Sequence, residues 1–422
     1  MNRSTKTRFA IFQILIEIYK KNFNFETIFN KKITEFQFNQ KEISFINNVC
    51  LNTMRKHIHC RIILNKFVKK SLKTREYILL SSAVVQIFYL KMKPYAVVNE
   101  TVNVSKKIGV YPSLINAILK NIINNINDLN KLIIRLEDFP QWFVDQVNRG
   151  QTDYLDCFLK TFDSQPSLHL VFKSKEAFCN FREPFTKSSN KSAFVCVQKK
   201  ISNLHNYDKG NWWVQDFSSM IPLAINNNIN NLEILDICAA PGGKSFQILS
   251  DNKVTLNDIN SKRILRLKEN LKRLKFSPEI NNFDGLSLKE YKKYDIVILD
   301  SPCSSVGTIR KNPEIFFKSK KPDFSKLNKL QRDLLNKSSK LVKNKGKIIY
   351  MVCSFLQSET LDIVKEFLKV NTNFSVEKYK ANKDTLNVKS LISQEGYLLT
   401  PPKKFKNYYI DGFFSAQLVR HD

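Results

Sequence analysis

After Leu232 the chain alternates. The apolar runs "LEILDIC", "KVTLNDI", "YDIVILD" and "GKIIYMVCS" are separated by loops and by an amphipathic segment, "SKRILRLKENLKRLKF". That segment puts Ile264, Leu267, Leu271 and Leu274 on one helical face. Strands alternating with helices predict a parallel α/β sheet. The last runs, "GYLLTPP" and "GFFSAQLVR", read as a closing antiparallel pair. In such a sheet ligands bind beyond the carboxyl ends of the strands, so the loops after these runs are where chemistry belongs.

The first part of the chain follows a different rule. Ile11, Ile14, Leu15 and Ile18 recur at helical spacing, as do Ile62, Ile63 and Phe67. "TREYILLSSAVVQIFYL" is apolar nearly all round and predicts a central buried helix, and "YPSLINAILKNIINNI" a last amphipathic one. Residues 1–130 are therefore expected to form a helical bundle. From 135 to 230, a short helix at "FPQWFVDQVNRG" and alternating runs at "SLHLVFK" and "SAFVCVQ" predict a small α+β domain. The α/β domain takes 231–422. No internal repeat or long low-complexity linker interrupts the three.

Composition decides the broad class. Hydrophobic residues make up 43% of the 422, enough to bury cores, and the net charge of +30 favours a polyanionic partner, most simply nucleic acid. No run of about 18 uncharged apolar residues occurs, which excludes a transmembrane helix on sequence grounds. The N-terminus, interrupted by Gln13 and Glu17, reads as an amphipathic helix and not a signal peptide. Eight cysteines without regular spacing suit reduced thiols in a cytoplasm. "HIHC" (57–60), with Cys50 upstream, lacks paired ligands at zinc spacing and reads as structural; no metal is expected. Cys50, Cys60, Cys157, Cys179 and Cys196 are expected to be buried structural residues.

Three loops stand out. "CAAPGGK" (Cys238, Ala239, Ala240, Pro241, Gly242, Gly243, Lys244) follows the first strand. Its glycines let backbone approach a ligand, and a helix starting beyond them would offer free N–H groups. It is neither a P-loop nor G-x-G-x-x-G, so a nucleotide-like ligand without a phosphate grip is expected. Asp258 ends the next strand, about 20 residues on, where an acid can bind ribose hydroxyls. Asp284 follows a third strand and Asp300 a fourth. A strand-end Asp can also merely cap a helix; the ordered set favours a cofactor site. "DSPCSSVG" then brings Cys303 beside Asp300, and "VCSF" carries Cys353. Both thiols sit at strand ends on one sheet edge, and position alone leaves open which of them would attack a substrate.

Together "CAAPGGK", "DSPCSSVG" and "VCSF" resemble the RNA cytosine-C5 methyltransferases of the Nol/Nop/Sun type, with "VQDFSS" and "DGFFSAQL" also similar to family signatures. "KPYAVVNETVNVSK" and "LINAILKNI" resemble helices of the NusB-like RNA-binding domain fused to the bacterial 16S rRNA enzyme. The resemblance spans the chain. It implies S-adenosylmethionine as cofactor, lined by Cys238 to Lys244, with Asp258 at the ribose, Asp284 by the adenine and Asp300 near the methionine end and the target base. It also implies Cys353 as nucleophile and Cys303 as the thiol of product release. Val352 stands where the family usually has Thr, and Ser301 where Ala is commoner.

What this implies chemically is covalent catalysis. A thiolate adding to C6 makes cytosine C5 electron-rich enough to accept a methyl group, and the thiol is later expelled. The base must be unstacked for C6 to be reached. The partner implied is 16S rRNA or a small-subunit precursor, met by a monomer in the cytoplasm. Rival readings are a tRNA cytosine-C5 methyltransferase, a non-catalytic antitermination-like RNA-binding factor, and a Rossmann-like oxidoreductase, against which the missing G-x-G-x-x-G counts.

Overall fold

The protein is described by a computed structural model covering residues 2–421 except 69–70, 126–131, 151–153, 198, 227–228, 292 and 382–387. By its internal contacts it divides into two units, residues 1–145 with 309–322, and residues 146–308 with 323–422.

The first unit is helical: α1 (Arg3–Lys21), α2 (Phe25–Phe36), α3 (Gln40–Arg55), α4 (His57–Phe67), α5 (Thr74–Phe88), α6 (Pro94–Lys107) and α7 (Pro112–Asn124). Caps start them where the sequence offers them. The Asn2 side chain accepts from Thr5 N, Asn39 and Glu42 form a reciprocal capping box, and α6 and α7 open on prolines. As its all-round apolarity predicts, α5 is the central helix, buried at every position from Ile78 to Phe88. The "HIHC" residues serve packing. The His57 ring lies 2.7 Å from the Tyr77 hydroxyl, Cys60 donates to the Ser81 carbonyl at 3.7 Å, and Cys50 is in the core. Burial, and then the Arg61 charge, push the His57 pKa down to about 3, so the ring is neutral.

Residues 309–322 belong to this helical unit, although they follow the Cys303 loop in sequence. Phe317 enters the bundle core, with its ring 5.6 Å from that of Tyr19 and 5.3 Å from that of His57. Ser319 N donates to the Tyr19 carbonyl at 3.0 Å, and the Arg55 guanidinium to the Arg310 carbonyl at 3.1 Å. Phe316 packs against Phe139, Trp142 and Phe143.

The second unit holds two sheets of different logic. β1 (Leu168–Phe172), β2 (Phe185–Ser189), β3 (Ser192–Val195) and β4 (Trp212–Val214) form an antiparallel sheet in the order β2-β3-β1-β4. The larger sheet contains β5 (Glu233–Asp236), β6 (Lys253–Asn257), β7 (Glu279–Asn281), β8 (Tyr294–Asp300), β9 (Val342–Val352), β10 (Phe374–Glu377) and β14 (Phe413–Arg420), ordered β10-β14-β9-β8-β5-β6-β7. The short β11 (Leu398–Thr400) pairs with β14, while β12 (Lys403–Phe405) and β13 (Tyr408–Ile410) form a separate hairpin. β5 to β9 are parallel and β14 joins β9 antiparallel; β11 and β14 form the antiparallel pair that the closing runs predict. Alternate residues feed two cores. Ile296, Ile298, Ile349 and Met351 face one layer, and Val297, Leu299, Ile348, Tyr350 and Val352 the other. Strands buried on both faces read as continuous apolar runs for that reason. From β5 the chain runs outward through β6 and β7, then returns to the other side of β5 with β8. That reversal opens a crevice beyond the carboxyl ends of β5 and β8.

Two local expectations need correction. No α-helix starts after the glycines of the β5 loop; only a 3-10 turn, Ser245–Gln247, follows before β6 begins at Lys253. The stretch is too short for an amphipathic helix, and Asn252 folds it back by donating to the carbonyls of Ile229 and Ile248. Cys157, Cys179 and Cys196 are exposed, not buried. Cys157 and Cys179 lie on short helices with a solvent face, 155–161 and 175–179, and Cys196 lies just past the end of the buried strand 192–195.

Candidate active site

The loop after β5 is built by its own backbone and by the elements around it. Gly242 N donates to Ala239 O at 2.7 Å, and Phe246 N to Gly242 O at 3.0 Å. Gly242 has φ +107°, and a Cβ there would lie 2.1 Å from the Phe246 ring, so only glycine fits. Gly243 is open by comparison: a Cβ would meet nothing nearer than 3.8 Å. Trp213 and Gln215 hold the loop from the side, with the Trp213 indole donating to the Gly243 carbonyl at 3.0 Å and to Gln215 Oε1 at 2.9 Å. The "VQDFSS" and "DGFFSAQL" stretches meet here, where Ser218 donates to the Asp411 carbonyl and Lys244 Nζ lies 5.3 Å over the Phe413 ring. Burial pushes the Cys238 thiol up, and it stays protonated.

The three acids converge on this edge but are held differently. Asp258 is 1% exposed; it accepts from Ala240 N at 3.2 Å and Asn260 N at 2.9 Å, and pairs with Arg263 at 3.3 Å. Its carboxylate therefore shapes the glycine loop from beneath. Asp284 is exposed and accepts from Leu286 N at 3.0 Å, capping a 3-10 turn. The turn lies against the β5 loop: a Cβ on Gly285 would come within 2.7 Å of Ile237. Asp300, half-buried, pairs with Lys244 at 2.6 Å. Burial opposes the Lys244 charge, and the Asp300 carboxylate more than offsets that, so its pKa is raised.

Cys303 and Cys353 come together. Their sulfurs are 3.4 Å apart, brought there by the register of β8 and β9, which pairs Asp300 with Met351. Ser301 N donates to Met351 O and Gly307 N to Cys353 O, so each loop is pinned to the other by backbone. Gly307 allows this approach: a Cβ would lie 2.9 Å from the Cys353 carbonyl. The two thiols differ in proton affinity. Hydrogen bonding to Cys353, with burial, raises Cys303 well above an ordinary thiol; donation by Cys303, with the Ser305 hydroxyl and the Lys244 charge, lowers Cys353.

Sequence reasoning missed three residues. Asp236, at the end of β5, is buried and accepts from the Ser245 hydroxyl. Burial pushes its pKa up to about 7. An acid inside an apolar run was the available signal. Glu359 is fully buried and accepts from Ser304 N at 2.7 Å, Ser304 Oγ at 2.5 Å and Gln331 Nε2 at 3.3 Å. Ser305 lies 3.4 Å from the Cys353 sulfur. No local pattern marks either of these two.

A glycine loop at the switch point of the sheet, with three acids and two adjoining thiols at the same edge, has the layout of a nucleotide-cofactor site. The described residues contain no group of His, Cys, Asp and Glu that could hold a metal ion, and no described helix is long and apolar enough to cross a membrane.

Known proteins make the class specific. Residues 222–419 match the 16S rRNA methyltransferase RsmB/F family, and residues 5–124 match the NusB family. The chain is 27% identical over 383 residues to ribosomal RNA small subunit methyltransferase B of Photorhabdus laumondii, covering 85% of this chain and 86% of that one. It is 24% identical over 441 residues to the protein of the same name from Pasteurella multocida, covering 98% and 95%. The crystal structure of PH0851 shares the fold with a TM-score of 0.72 at 18% identity, covering 99% of both chains. A methyltransferase homolog protein from Pyrococcus horikoshii does so over 67% of this chain and 95% of that one, with a TM-score of 0.53 at 19% identity. Residues 222–419 form an S-adenosylmethionine-dependent RNA cytosine-C5 methyltransferase domain of the RsmB/F family, and a NusB-family domain precedes it.

Proposed function

We propose that this enzyme methylates C5 of a cytosine in 16S rRNA, or in a small-subunit precursor, through a covalent bond between Cys353 and C6 of the base. The observation that carries this reading is the pair of sulfurs 3.4 Å apart beside Asp300 and Lys244, with the Ser305 hydroxyl 3.4 Å from that of Cys353. A thiol of lowered pKa supplies the thiolate that adds to C6. A neighbour of raised pKa holds its proton until release, passes it to the Cys353 sulfur as the C6–S bond breaks, and as a thiolate takes up the C5 proton as the C5=C6 bond forms again, which suits Cys303 to product release.

The residues present fit S-adenosylmethionine. The open face of Gly243 and the exposed carboxylate of Asp284 leave space and an acceptor at the crevice. Cys238, Ala239, Ala240, Pro241, Gly242, Gly243 and Lys244 would line the cofactor, Asp258 would act at the ribose, Asp284 beside the adenine, and Asp300 near the methionine end. When bound, the cofactor supplies the methyl group. Asp300 also hydrogen-bonds the cytosine at N3 or N4 and so stabilises charge that develops on the ring. Its ion pair with Lys244 holds it at that edge. The +30 net charge and the NusB-family bundle favour an RNA partner gripped through phosphates. The enzyme is taken to act as a monomer in the cytoplasm, where thiols stay reduced.

Bisulfite sequencing tests the reading. Unmethylated 16S rRNA and tRNA are incubated with the full protein and S-adenosylmethionine. Protection of one cytosine in 16S rRNA is the expected result. Protection confined to tRNA would replace the substrate. RNA binding without any protection would make the chain a non-catalytic factor.

A further inference from the structure

Ser305 follows Cys303 by two residues and occupies the left-handed region, with φ 60°. Side chains other than Gly, Asn and Asp seldom adopt that conformation. The turn itself needs only the backbone: the Ser305 carbonyl accepts from Thr308 N at 2.9 Å and from Thr308 Oγ1 at 2.8 Å. Glycine would close the same turn without strain, so the backbone does not account for a serine.

The side chain does. The Cys353 thiol donates to Ser305 Oγ at 3.4 Å, while the Cys303 sulfur lies 4.0 Å from that oxygen; once Cys353 is a thiolate the hydroxyl turns and becomes the donor. The strand offers no such group, because Val352 is apolar and fully buried. We propose that Ser305 is a further catalytic residue, whose hydroxyl donates to the Cys353 thiolate and holds that sulfur ready for attack. This rests on the reading of Cys353 as nucleophile. A hydroxyl donor suits a sulfur that must be an anion before attack and again when expelled, because it stabilises charge without itself titrating. The titratable groups acting on Cys353 are the Cys303 thiol, the Lys244 ammonium and the Asp300 carboxylate, and the direction of the Cys353 shift agrees with donation by Ser305.

Iodoacetamide alkylation of the full chain, read at Cys303 and Cys353 by peptide mass spectrometry across pH, tests the proposal with Ser305→Ala and Ser305→Gly. Both variants should alkylate Cys353 about three- to ten-fold more slowly near neutral pH, the scale of one lost hydrogen bond, with the limiting rate at high pH kept. Ser305→Gly relieves the backbone, so a loss in both variants reports the hydroxyl. A wild-type Cys353 profile in both variants, or an effect in Ser305→Gly alone, would overturn the proposal. So would a change confined to Cys303. Mapping the RNA adduct of the wild-type enzyme tests the underlying reading separately. An adduct on Cys303 would remove Cys353 as nucleophile while leaving any alkylation shift in place, so the two failures are distinguishable.

Discussion

Cys303 and Cys353 carry the same side chain, yet their loops are built on opposite electrostatics. The Cys303 loop is strapped at Ser304 to the Glu359 carboxylate, which is fully buried. That negative charge joins hydrogen bonding and burial in raising the Cys303 pKa. The Cys353 loop faces Cys303, the Ser305 hydroxyl and the Lys244 ammonium, and these lower its pKa against burial and the Asp300 charge. The comparison teaches that two like thiols in contact part first through the hydrogen bond they share and then through the groups around each: the buried Glu359 near Cys303, and Ser305 and Lys244 near Cys353.

The contrast breaks most directly at the nucleophile. Cys353→Ala should cut methylation by about 10³-fold or more, the scale on which nucleophile loss is felt, and should form no covalent RNA adduct. An adduct at Cys303 in that variant would reverse the two roles.

Cys303→Ala should still attack and methylate but turn over about 10²- to 10⁴-fold more slowly, as expected when a proton-transfer group is lost. The enzyme should accumulate on its RNA through Cys353, visible as a retarded band on a denaturing gel. A variant that turns over normally, with no such band, would leave Cys303 without a part in release.

Gly307→Ala should disturb both loops together. Its Cβ would lie 2.0 Å from the Gly412 carbonyl and 2.9 Å from that of Cys353. A loss of about 1–3 kcal/mol in unfolding free energy is the scale expected for such overpacking. Denaturant unfolding measures it, and an unchanged midpoint would mean that the loops are not pinned at this glycine.

The smallest effect sharpens the comparison best. Glu359→Gln keeps an acceptor for Ser304 N and removes the charge. A nearby anion disfavours a thiolate, so its removal should lower the Cys303 pKa and raise Cys303 alkylation at fixed alkaline pH by a few-fold. Methylation that needs the Cys303 proton should then fail at lower pH than in the wild type, because activity is lost as pH rises through that pKa. Cys353 should alkylate nearly as before. Equal shifts at both sulfurs would show a moved loop instead of a lost charge.

Much of this architecture was written in local pattern. The period-two and near-continuous apolar runs marked β5, β6, β8 and β9, the helical periods marked the bundle, and the loops after β5, β8 and β9 carried the groups that meet in the crevice. Strand ends could be read because burial of a strand on one or both faces leaves a periodic trace. The α-helix expected after the glycines was overread, since glycines and a basic residue cannot distinguish an α-helical start from the 3-10 turn seen at Ser245–Gln247. The burial expected of Cys157, Cys179 and Cys196 followed from residue type, and type is a poor guide on short helices with one open face or just past a strand end.

The sequence by itself determined the element types, the order of the loops and the presence of two thiols at strand ends, because these depend on periods and spacings of a few residues. Only the tertiary structure decided that the sulfurs lie 3.4 Å apart, that Glu359 reaches Ser304 across 55 positions, and that residues 309–322 group with the helical bundle. Such contacts join segments far apart in the chain, and no local period encodes which distant partner a buried carboxylate, a sulfur or a phenyl ring will meet. The difference in proton affinity between Cys303 and Cys353 is a sum over those partners, so it exists only once the chain is folded.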